Sequence, residues 1–139
     1  MPGDTGVGAT VTLSGGFTAA YREVGSVKAG IEDVDNNTLD NASANPAKFL
    51  PGDNPVYEDI ACVVRFNPTS TQPVIGAIQT ITITPPKENS GSASPCNIAG
   101  SGYVKTFDKI PNMQRNQLNV ANMVLRFDGN TGPTFTPEA

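Results

Sequence analysis

Asp33, Asp35 and Asn37 fall at alternate positions in IEDVDNN, the spacing with which oxygen ligands open a calcium-binding loop. The match stops there. Thr38 stands where such a loop needs its turn glycine and Ala44 where it needs a bidentate glutamate, so the stretch reads as a solvated acidic loop. The chain has no histidine, which removes the usual general base, every Ser-His or Cys-His arrangement and every imidazole zinc site. Cys62 and Cys96 could pair in principle. The opening MPGDTGVGAT has neither the basic nor the apolar region of an export signal, so both are expected as reduced thiols, Cys62 acting as a small apolar side chain. Asn36 and Asn41 begin N-x-[ST] sequons, which carry sugar only on an exported chain. The glycine-rich GVGAT and SGG lack the Lys and the strand-turn-helix context of a phosphate loop. No acid, base and nucleophile can be assembled around any motif, so no enzyme, cofactor or metal is expected.

Composition narrows the class further. With 139 residues the chain suits one domain able to bury a core without staples. The 14 glycines and 12 prolines call for many turns between short elements. Charged residues are 16% of the chain and the net charge is -4, so Thr, Ser, Asn and Gln must cover much of the surface, and nucleic acid is weakly repelled. Nothing approaches the roughly 20 apolar residues of a membrane helix, which leads us to expect a soluble, cytoplasmically made protein. Tryptophan is absent and the nine aromatics are placed to pack, which argues against a sugar platform.

The elements that must position anything functional are strands. Period-two alternation marks residues 9–13, a run over 17–31 with a bend at Gly25, and residues 79–84 (QTITIT), 102–107 (GYVKTF) and 118–127 (LNVANMVLRF). The clearest strand is 56–66 (VYEDIACVVRF), with Val56, Ile60, Cys62, Val64 and Phe66 on one side and Tyr57, Asp59, Ala61, Val63 and Arg65 on the other. Both faces of 118–127 are largely apolar, so one core cannot be its only partner. Residues 69–77 and 36–50 each contain a proline that limits any helix to a turn or two. The expectation is a mainly β domain, an antiparallel sandwich or barrel with at most one short α-helix and long loops. Two connections, 32–55 and 85–97, exceed the about 12–15 residues beyond which a loop usually has work to do. Phe49, Leu50 and Pro51 inside the first suggest that it docks on something apolar, and Phe135 lies in a short extended piece that outlasts the last strand.

Taken in order, these pieces resemble the tail tube (major tail) protein family of long-tailed bacteriophages. The residues that carry the likeness are IEDVD at 31–35, FLPG at 49–52, TITITP at 80–85, AGSGY at 99–103, a hairpin marked by Pro111, and GPTFT at 132–136, across about residues 24–137. The family's β-sandwich is flanked by one α-helix, often after the strand that here ends at Phe66; only residues 68–77 are available for it.

The resemblance implies a single tail-tube domain over 1–139, with an N-terminal arm (1–8), a long inter-subunit loop (32–55) and a C-terminal tail (128–139). It implies a structural virion protein whose copies form six-fold rings that stack into a tube, through which DNA is delivered without specific binding. Partners are then other copies of the chain, a tape-measure protein and a tail terminator; the tube is assembled in the host cytoplasm and ends in the virion. Asp33, Asp35, Phe49, Leu50, Pro51, Asp108 and Phe135 become candidates for contacts between subunits and rings, and Lys105, Asn119 and Arg126 candidates for the lumen wall. A capsid decoration or baseplate β-domain, and less readily a β-sandwich binding module, share the composition.

Overall fold

A computed structural model describes residues 8–36 and 46–139. The N-terminal arm as far as Val7, Asn37 of the calcium-like spacing and the Asn41 sequon lie outside the described residues. The described residues form eleven strands: β1 (Thr10–Leu13), β2 (Tyr21–Val24), β3 (Ala29–Gly30), β4 (Asp33–Asp35), β5 (Phe49–Pro51), β6 (Val56–Tyr57), β7 (Ile60–Arg65), β8 (Gln79–Thr84), β9 (Asn97–Phe107), β10 (Val120–Phe127) and β11 (Thr134–Thr136). No described residue is helical. The mainly β expectation therefore holds, and the segment 67–78, where the family would place its helix, is turn and extended chain. Pro68 and Pro73 each remove a backbone donor there; Asn67 Oδ1 accepts from Thr69 N and Oγ1 at 3.0 and 2.7 Å, and Ile75 pairs in parallel with Val104.

Seven strands form one antiparallel sheet in the order β1-β8-β9-β10-β7-β2, with β11 added beside β9. Alternation decides which face is buried. Ile81 and Ile83 of β8, Ile60, Cys62 and Val64 of β7, and Ala121, Met123, Leu125 and Phe127 of β10 all point inward, while the threonines of β1 and β8 stand opposite one another on the outer face, Thr10 against Thr84 and Thr12 against Thr82. Each fully buried aliphatic side chain contributes about 1.5–3 kcal/mol. Leu13 from one end of the strand order and Val24 from the other belong to the same core. The sheet is therefore curled over its apolar face, yet β1 and β2 do not pair and no barrel closes. Aromatic pairs plug the two ends of the core: Phe17 meets Phe107 edge-on at 5.6 Å between centroids, and Tyr57 meets Phe127 at 6.0 Å.

Two irregularities set directions that simple alternation misses. Between β9 and β10, Val124 pairs with Thr106 but Leu125 with Val104, so Lys105 is the extra residue of a β-bulge. The bulge resets the parity of β9, which lets Phe107 turn inward onto Phe17. Between β6 and β7, residues 58–59 break the pairing, so the single alternation expected over 56–66 fails at its start: Tyr57 packs on the core and Val56 is exposed.

Within the connection expected as an irregular loop over 32–55, the described residues include a short two-stranded ribbon. Ala29 and Gly30 pair with Tyr57 and Val56; Asp33, Val34 and Asp35 pair with Pro51, Leu50 and Phe49; and Asn36 N donates to Lys48 O at 3.0 Å. The ribbon continues the β2–β7 pairing past the end of the sheet. Its short strands and its interruption near Gly52, whose N–H donates to Glu32 O at 2.6 Å, leave too little periodicity to be read from sequence.

β10 and β11 lie one after the other along the same edge of β9, with residues 128–133 looping out between them. The tail 128–139 thus packs on its own subunit's sheet. Gly100 makes this possible, because a Cβ there would come within 2.6 Å of Pro133 Cα.

Candidate functional site

Three surface features stand out, and each is positioned by the elements just described. The first is the ribbon. Val34 and Leu50, directly opposed, occupy one face, while Asp33, Asp35, Phe49 and Pro51 occupy the other. Every residue of β4 and β5 is exposed, Phe49 by 59%, because among the described residues β4 and β5 pair only with each other and no other strand packs on them closely. The sequence-derived candidates Asp33, Asp35, Phe49, Leu50 and Pro51 are therefore brought together on one projecting element, and Val34, which the sequence reading passed over, joins them.

The second feature lies at the opposite end of β7 and β10. There the β9–β10 connection exposes Ile110 (76%), Met113 and Leu118. Val74 and Ile78 of the β7–β8 connection are exposed too, and Gln72 Nε2 ties that connection to Lys109 O. Asp108 sits at this end, its Oδ2 accepting from Asn122 N at 3.0 Å and Nδ2 at 3.2 Å, so it shapes the hairpin and is far along the sheet from Asp33 and Asp35. Phe135 lies on the ribbon side of the molecule, 61% exposed, at the rim of an apolar groove lined by Val24, Val27, Ile83, Pro86 and Ile98. The tail that carries it is latched by Glu138, whose carboxylate accepts from Glu88 N (2.7 Å), Asn89 N (3.0 Å) and Ser92 Oγ (2.6 Å). The hydrogen bond from Ser92, and after it those from the two backbone amides, holds the Glu138 carboxyl below the usual range.

The third feature is on the outer face of the sheet. Continuing the β7–β10 register one step past Ile60–Leu125 sets Asp59 opposite Arg126, and the bulge presents Lys105 to the same spot. Asp59 Oδ2 accepts from Lys105 Nζ at 2.8 Å and Oδ1 from Arg126 Nη1 at 2.7 Å. The hydrogen bond from Lys105, then that from Arg126, lowers the Asp59 carboxyl. Of the lumen-wall candidates, Lys105 and Arg126 are thus neighbours on one face with their charge shared by Asp59. Asn119 is half-buried before β10, where its carbonyl accepts from Phe66 N at 3.0 Å.

No protein-family model matches the chain. Nor does any curated protein. The functional reading accordingly rests on the geometry. Among the described residues no group of three or more His, Cys, Asp or Glu could hold a metal ion, and no helix is long and apolar enough to cross a membrane. Cys62 is buried and Cys96 half-buried, both as free thiols, and burial raises the Cys62 thiol pKa.

The sequence reading missed Asp59, Glu138 and the apolar loops at the far end. Asp59 could have been found only by aligning β7 with β10, since the partners lie 67 residues apart. Ile110 and Met113 were visible as apolar residues in a proline-marked hairpin, but their exposure depends on which end of the curled sheet the hairpin leaves.

Proposed function

We propose that this protein is a structural subunit that polymerises with copies of itself, as stacked rings forming the tail tube of a long-tailed bacteriophage through which DNA is delivered. The observation that carries the reading is the projecting ribbon, with Val34 and Leu50 on one face and Phe49 on the other left to solvent. A two-stranded ribbon is marginal alone, and exposed apolar side chains on it are uncommon unless something covers them. Two further features support an open-ended assembly. Among the described residues β1 and β2 each pair on one side alone, leaving an edge that a neighbouring sheet can complete. The ribbon and the Ile110–Met113 loops are at opposite ends of the subunit, so a contact between them is heterologous and propagates instead of closing a dimer.

In this reading the work of the protein is mechanical. The ribbon and the loops hold subunits together, and the polar outer sheet face, rich in threonine, offers a duplex few phosphate contacts that would oppose sliding. Sedimentation velocity of the purified chain across a concentration series tests the reading. Growth to large species in the native protein, with Leu50→Asp remaining a folded monomer, is the expected result; a native protein that stays monomeric at every concentration overturns it.

A further inference from the structure

We infer that Asp59 is a built-in counter-ion that keeps the outer sheet face from gripping phosphate. The inference deepens the reading just given, since it assigns a reason why this face would let a polyanion pass. The chain carries a net charge of -4, but that excess is not on this face. Over the outward positions of β7, β9 and β10 the cations are Arg65, Lys105 and Arg126; Glu23 opposite Val63 and Asp108 on Asn122 are acids at the borders of this face, and Asp59 is the acid that touches both Lys105 and Arg126. The side chains of Lys105 and Arg126 remain 45% and 37% accessible, so solvent and solutes can reach both. A guanidinium and an ammonium converging on one point are an ordinary way to hold a phosphate oxygen. Here that point is filled by the Asp59 carboxylate, one oxygen to each cation.

The geometry is specific to that task. Alternation from the buried Val104 already sets Lys105 outward, and as the extra residue of the bulge it stands on the face where Arg126 and Asp59 are opposed. An exposed ion pair contributes little to folding, so stability alone is a weak reason for the arrangement. Removing the carboxylate leaves two adjacent cations without their internal partner, and a phosphate chain can then take its place. The partner class is a linear polyanion, with duplex DNA as the case that matters and heparin as its laboratory proxy.

The test compares retention on immobilised heparin, and binding to a labelled DNA duplex at low salt, for the native protein, Asp59→Asn and Asp53→Asn. Asp53 is exposed in the ribbon connection, so its variant changes net charge by the same amount at another place. Asp59→Asn should elute at higher salt than both others, bind the duplex with an affinity that falls as salt rises, and lose the gain when Arg126→Gln is added. Circular dichroism verifies the fold of each variant, and Asp59→Ser is the second variant should Asp59→Asn fail to fold. Elution of the Asp59 variant together with Asp53→Asn overturns the inference, as does strong retention of the native protein. Because filament growth is measured separately, the tube reading can stand when this one falls, and the reverse.

Discussion

Val34 and Leu50 face each other across the β4–β5 ribbon, beyond the end of the sheet that carries the core. Among the described residues nothing covers that pair from outside, and both are half-exposed. A charge placed there meets water in the free subunit and an apolar surface in an assembly. We predict that Leu50→Asp shifts thermal unfolding of the monomer by no more than about 0.5 kcal/mol, as expected for a surface position, while abolishing growth of large species in sedimentation. A large loss of monomer stability would show that the ribbon is part of the fold's own core.

Gly100 yields a prediction of the opposite kind. The chain at Pro133 passes so close over β9 that an added methyl must push β11 outward, and β11 is held by only three paired residues. Gly100→Ala should cost about 1–3 kcal/mol, as overpacking typically does, and should release the tail, read as faster amide exchange over 134–136. Unchanged exchange would mean that the tail is placed by its latch alone.

That latch gives a pH dependence with a defined sign. The Glu138 carboxyl is held below its ordinary value of 4.5 by Ser92 and the loop amides in the folded state. Its contribution to stability is therefore present above pH about 4.5 and disappears as pH falls through the lower folded value. Glu138→Ala should unfold at a lower temperature than the native protein near neutrality, and the gap should narrow in acid. A gap of constant size across that range would rule out the carboxylate as the cause.

Tyr21 supplies a fourth test. Its hydroxyl oxygen is buried without a hydrogen-bond partner among the described residues, and burial, followed by the proximity of Cys62, drives its pKa well upward. An unsatisfied buried hydroxyl destabilises the native state. Tyr21→Phe should be neutral or stabilising by up to about 1 kcal/mol in denaturant unfolding. A clear loss would reveal that the hydroxyl has a partner, such as an internal water.

The strands were legible because alternation is local. QTITIT and the IACVVR part of β7 show their buried and exposed sides directly, and each matches its neighbour's face in the sheet. The apolar second face of residues 118–127 was legible as well, though Val120 and Val124 are half-covered within the subunit and Leu118 is exposed. What depends on pairing between distant strands was not legible. The bulge that turns Phe107 inward comes from two registers of β9 against β10, and the meeting of Asp59 with Arg126 from a third. The ribbon escaped for another reason: its strands are two or three residues long, shorter than a period-two pattern needs to declare itself. Its apolar content, Phe49, Leu50 and Pro51, still marked it as a place of contact.

Negative-stain electron microscopy of the concentrated, purified protein measures the central claim most directly. The account predicts hollow filaments of even width, absent for Leu50→Asp. Isolated globular particles at every concentration, or closed rings and trimers that never stack, would contradict it.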